Sequence, residues 1–228
     1  MKLTVIGCSH TYYVWPTWAD ILSQEYDEYD NWGSSGIGNY AIFHRCIEIV
    51  EQYKPGDKVI VQWTYPNRFD FHKFGEGWYQ GGNLANLHDH IQQVVAAVAF
   101  DEQSYNWQTN NFITAIETMF EANNVDYQMI APDYSVGSLP PLNIMDTFGI
   151  PKRRFINVRP NQMFKDEDHH WTPKHHLKYL ESAGFTITQK MLQYVEQVEK
   201  ELDDISNWKQ VKYRMQEKGY IRAHVLGR

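Results

Sequence analysis

Hydrophobic positions along the chain fall into two alternating kinds of run. Residues 2–7 and 58–64 are short, nearly continuous apolar stretches rich in Val and Ile, the pattern of strands buried on both faces of a parallel sheet. A weaker strand is predicted over 26–32. Between these, residues 16–24 place Trp18, Ile21 and Leu22 on one face just after Pro16. Residues 39–53 carry Ile42, Cys46, Ile47, Ile49 and Val50 at helical spacing before Pro55-Gly56 ends the run. Strand, helix, strand, helix, strand with short links predicts an α/β fold. It is a doubly wound (flavodoxin-like) parallel sheet of about five strands flanked by helices, with long loop insertions and a C-terminal helical extension.

Downstream the pattern loosens. Residues 65–84 fill with aromatics and glycines, among them Phe69, Phe71, Phe74 and Trp78, and hold no steady period. A loop this long with that aromatic load reads as a lid or pocket wall. Helices are predicted over 84–100, where His88 and His90 would be exposed, and over 106–123, followed by a strand over 125–131. Residues 132–164, with Pro132, Pro140, Pro141, Pro151 and Pro160, form a second excursion. Thr172-Pro173 then opens a helix that runs to about residue 184. A final helical stretch over 186–218 carries Ile187, Met191, Val195, Val198, Leu202 and Ile205 at three- and four-residue steps. The division expected is a domain over 1–185 and an extension over 186–228. The apolar stripe of the extension spans under three clean heptads, which favours packing on its own domain; a homodimer is the other use for it.

Charge and composition remove several classes. With 28 acidic against 21 basic residues the net charge is −7, and no basic stripe precedes the C-terminal tail, so nucleic acid is not an expected partner. The only cysteines, Cys8 and Cys46, have no framework spacing and read as reduced thiols. The N-terminus enters a strand with no apolar leader, and no run approaches membrane-spanning length. A cytoplasmic protein without a membrane partner is expected, and the compact, aromatic-rich style also fits a phage-like, virion-associated one. Aromatic residues make up 15% of the chain and gather in the loops, which suits flat ligands such as sugars as well as ordinary core covering.

Two runs carry candidate chemistry. Ser9 stands where the first strand gives way to a loop, at the carboxyl edge where open α/β sheets keep their ligands. Asp168 and His170 stand just ahead of a helix, where both can reach that edge from another loop. Acyl transfer needs a nucleophile, a base, a group to orient the base, and donors for the oxyanion. Ser9, His170 and Asp168 fit the first three roles, with His169 as the alternative base. His169, His170, His175 and His176 also cluster with Asp166 and Asp168. No cysteine ligands accompany them and neighbouring helical histidines diverge, so no metal and no cofactor are expected.

Gly7-Cys8-Ser9-His10-Thr11 resembles the first block of the SGNH/GDSL hydrolases, in the subgroup where cysteine replaces the block's aspartate. Residues 31–39, Asn-Trp-Gly-Ser-Ser-Gly-Ile-Gly-Asn, resemble the second block, and Asp168-x-His170-x-Thr172-Pro173-x-x-His176 resembles the last. The three lie in family order over residues 1 to about 183. The resemblance implies an oxyanion hole built from the backbone N–H groups of Ser9 and Gly36, with Asn39 a possible side-chain donor and otherwise a helix N-cap. The family's Gly-x-Asn-Asp block is not matched: Gln62-Trp63-Thr64-Tyr65-Pro66-Asn67-Arg68 stands there. Thr64 or Asn67 would replace the missing donor and Arg68 would bind an anionic group at the mouth. Three readings stay open: an esterase acting on a small-molecule or glycan ester, with an O-acyl group of a carbohydrate as one such ester; a non-hydrolytic glycan-binding or protein-interaction module on the same fold; and an O-acyltransferase using the same triad.

Overall fold

The fold is described from a computed structural model. The structure describes residues 1–66, 68–75, 77–83, 102–131, 153–154, 167–168, 170–205 and 208–221. The predicted helix over 84–100 and most of the excursion over 132–164 lie outside them.

Four strands form the central sheet: β1 (Lys2–Gly7), β2 (Glu28–Gly33), β3 (Lys58–Gln62) and β6 (Asp126–Ile130). They lie in the order β2-β1-β3-β6 and every pair is parallel. This is the doubly wound arrangement in which strand order reverses between β1 and β3, so ligands are expected beyond the carboxyl ends of these two strands. Side chains alternate between two packed faces, as a doubly covered sheet requires. On one face Ile6, Val59 and Val61 pack against α2 (Asn39–Gln52) and α3 (Glu102–Ala122) through Ile42, Cys46, Ile113, Ile116 and Phe120. On the other, Leu3, Val5 and Ile60 pack against α1 (Trp18–Leu22), α4 (Pro173–Ser182) and α5 (Gln189–Asp203) through Trp18, Ile21, Leu180, Met191 and Val195.

The aromatic run expected to lack regular structure forms an antiparallel hairpin, β4 (Arg68–Lys73) with β5 (Gly77–Asn83). The reason it escapes a hydrophobic-pattern reading is that the buried position of β4 is a carboxylate, Asp70, while Phe71, His72 and Lys73 face solvent. The final helical stretch is two helices, α5 and α6 (Trp208–Glu217). Val198 and Leu202 of α5 and Val211 and Met215 of α6 close over Trp15, which leads out of the Ser9 loop. A two-residue ladder pairs β7 (Arg153–Arg154) with β8 (Glu167–Asp168).

Candidate active site

Beyond Gly7 the chain curls at once: the N–H groups of Thr11 and Tyr12 both donate to Cys8 O, at 2.9 and 3.1 Å, and put Ser9 and His10 at the crown of a tight turn. Only glycine fits at position 7, because a Cβ there would lie 2.1 Å from Thr11 Oγ1. Thr11 fastens the turn in several directions. Its hydroxyl donates to Gln62 Oε1 (2.7 Å), Gln62 Nε2 donates to the Tyr179 hydroxyl (3.1 Å), and that hydroxyl donates to Ala131 O (2.7 Å). Its carbonyl accepts from Thr17 Oγ1 at 2.7 Å and Asn31 Nδ2 at 2.8 Å. Ser9 is 2% exposed, and its hydroxyl makes no hydrogen bond among the described residues.

The second and third loops reach the same rim. Ser34 N–H donates to Gly7 O (2.9 Å), which seats the 34–38 loop beside the Ser9 turn. Gly36 in that loop has φ +81°, a left-handed backbone that favours glycine. Ile6 pairs with Val61, so β1 and β3 end side by side, and Thr64 follows the end of β3 as Ser9 follows the end of β1. Asn39 does not cap its helix: Gly38 is the N-cap, and Asn39 is the first helical residue. Its side chain instead clamps the end of β3. Asn39 Oδ1 accepts from Thr64 N–H (2.8 Å), and Nδ2 donates to Thr64 O (2.9 Å) and Thr109 Oγ1 (3.1 Å). Both amide protons are thereby committed. Thr64 is fully buried and its hydroxyl has no hydrogen-bond partner among the described residues. Asn67 lies outside the described residues. Arg68 spends one guanidinium N–H on Ile37 O, at 3.3 Å.

His170 arrives from the far end of the sequence. Its ring stacks on Tyr13, with centroids 3.8 Å apart and planes 19° from parallel, and lies 5.8 Å from the ring of His10. His10 also meets Trp171 at 4.4 Å, and Trp15 Nε1 donates to Trp171 O at 2.8 Å. Two loops some 160 positions apart thus touch along several rings. As predicted, Pro173 occupies the first turn of α4. Asp168 is placed by its backbone, in β8 opposite Arg153; its side chain, His169 and Asp166 lie outside what is described.

Two further histidines stand behind the site. His10 and His176 are buried with ring centroids 6.3 Å apart, and the Nδ1 of each lacks a hydrogen-bond partner among the described residues. Burial, reinforced by the nearby His170, holds both well below the ordinary imidazole range, so both are neutral at neutral pH. The inward place of His176 is legible from its spacing to Tyr179 and Leu180 on α4, whereas nothing in the sequence marks His10 as buried. Among the described residues no group of three or more His, Cys, Asp or Glu is arranged to hold a metal ion. Nor is any described helix long and apolar enough to cross a membrane.

No protein-family model matches the chain, and no curated protein matches it in sequence. Solved structures resemble it, among them the following two. One is a protein assigned to a lipolytic G-D-S-L family from Desulfitobacterium hafniense DCB-2, at 21% identity and a TM-score of 0.32, over 59% of this chain and 61% of that one. The other is the protein YxiM from Bacillus subtilis, at 12% identity and a TM-score of 0.36, over 96% of this chain and 56% of that one. The match spans less than two thirds of either neighbour's length. Likeness at this level carries nothing about chemistry.

Proposed function

We propose that the protein is a serine hydrolase that cleaves an ester, with an O-acyl group on a carbohydrate as the substrate type its aromatic loops suit. In this reading Ser9 is the nucleophile and His170 takes its proton and returns it to the leaving alcohol. Asp168 orients the imidazole. The N–H groups of Ser9 and Gly36 receive the oxyanion, with the Thr64 hydroxyl or Asn67 as third donor. Asn39 acts here as a positioning residue, since its amide holds the Thr64 backbone on both sides. The observation that carries the reading is the meeting of the Ser9 turn and the His170 loop at the carboxyl edge of β1 and β3, through the contacts of His10 and Tyr13 with His170.

The test is reaction with a serine-directed phosphonate and turnover of small aryl esters. Wild type should be labelled at Ser9, and Ser9→Ala and His170→Ala should each lower kcat/KM by at least about a thousandfold. Full activity in Ser9→Ala would sink the proposal. Transfer of the acyl group to a sugar hydroxyl instead of water would identify a transferase using the same residues. One observation favours a binding module: Phe74 at the hairpin tip is 97% exposed and Phe71 on β4 is exposed as well. Glycan binding without turnover, surviving loss of Ser9 and His170, would establish that reading.

A further inference from the structure

A cavity of about 190 Å³ is lined by neither Ser9 nor His170. It lies on the far side of the Asn39–Thr64 clamp, between the start of α2, the hairpin and α3. Four of its ten lining residues are aromatic, Tyr40, Phe69, Tyr105 and Phe112, and Arg68 is its one cation, with Asp70 among the polar remainder. Aromatic side chains combined with placed polar groups are the usual make-up of a small-molecule site. The volume is below the range for drug-sized ligands and corresponds to roughly six waters at about 30 Å³ each, room for a single ring with a substituent.

Arg68 is what makes this cavity selective. Its guanidinium carries five donors. One is given to Ile37 O at 3.3 Å, Nε is buried with no hydrogen-bond partner among the described residues, and the charge lies 5.7 Å from the Tyr65 ring. No ion pair to Arg68 is formed among the described residues, even though Asp70 shares the cavity wall. The Asp70 carboxylate is turned to the start of α2, where it accepts from Ala41 N–H at 2.7 Å and Gly38 N–H at 3.3 Å. The Arg68 guanidinium makes no ion pair among the described residues, although its charge is felt at Asp70, and beside aromatic rings it matches a planar acid presented on a ring.

We infer that this cavity is a binding site for a ring-sized carboxylate ligand, of the class of a uronic acid, held by the Arg68 guanidinium between aromatic walls. The site stands by itself as a binding site; its use for the acidic end of an ester substrate rests on the hydrolase reading above.

Titration calorimetry of the full chain with glucuronate and with glucose tests it. Glucuronate should bind at least about tenfold more tightly than glucose, and Ser9→Ala should bind it as wild type does. Arg68→Gln and Arg68→Lys should each weaken glucuronate by about tenfold or more, Lys included because it keeps the charge and loses the fork. Equal affinity for the two sugars, no glucuronate binding up to about 10 mM, or undiminished binding in a folded Arg68→Gln or Arg68→Lys variant would overturn the proposal. The wild-type comparison decides even where an Arg68 variant does not fold. Phosphonate labelling of Ser9 without glucuronate binding defeats this site and spares the hydrolase; binding without labelling does the reverse.

Discussion

Asp20 shows how much a single side chain behind the site matters. It is buried and accepts from Thr17 N–H (2.9 Å), Thr17 Oγ1 (3.3 Å) and the Tyr29 hydroxyl (3.2 Å), and Thr17 in turn holds the Thr11 carbonyl. Burial pushes its carboxyl up to about 7, against three hydrogen bonds that favour the anion. A carboxyl raised on folding contributes stability that is intact below its unfolded value near 4 and is lost as pH climbs through about 7. Asp20→Asn removes that dependence. The urea midpoint of the variant should therefore gain on wild type between pH 5 and pH 8, by a few kcal/mol at most, converted with the fitted slope. A constant gap across that window would contradict it. His10 and His176 act in the opposite sense, lowering stability as pH falls below about 6.5, and they cancel in the difference between the two proteins. Ser9 is legible in sequence because a strand end and a small polar residue coincide there; the burial of His10 is not, because it depends on Trp171 and His176 far along the chain.

Among the elements, the hairpin owes its seat to Asp70. A carboxylate at a helix N-terminus satisfies donors that the helix leaves unpaired and complements its dipole. Here it comes from another element. Gly38 leaves the space it needs, since a Cβ there would lie 2.7 Å from Asp70 Oδ1. Asp70→Ala strips two buried N–H groups of their acceptor and should cost about 2 kcal/mol, read as a lower urea midpoint, with faster amide exchange at Gly38 and Ala41. Unchanged exchange at those two amides would show that the hairpin is held by something else. Burial pushes the Asp70 carboxyl up to about 6, so it is still largely ionised at neutral pH and the comparison belongs there. β1 and β3 are plain in the sequence because both faces are covered and the apolar run is unbroken. β4 is obscure for the converse reason: one face meets solvent and the other is a carboxylate. A helix start supplied from across the fold leaves no local trace, which is why Asn39 looks like a cap and is a clamp.

For the whole molecule, strand order follows from alternation of strands and helices, and four parallel strands in the order β2-β1-β3-β6 match it. Where the chain divides is a matter of buried area. Met191 and Val195 pack on the sheet face, while Val198, Leu202, Val211, Met215 and Ile221 close over Trp15. Each such side chain is worth roughly 1.5–3 kcal/mol when buried, and together they match or exceed the whole net stability of a domain, about 5–15 kcal/mol. A chain ending at residue 185 should fail to fold cooperatively; a sharp thermal transition and dispersed NMR spectrum from residues 1–185 would refute this. The Ser9 turn is pinned by directional bonds from the start of α1, from β2 and from β3, through Thr17, Asn31 and Gln62. The imidazole of His170 lies on the flat face of Tyr13, which belongs to that same early loop. What anchors the early loop therefore also fixes one wall against which the His170 ring rests.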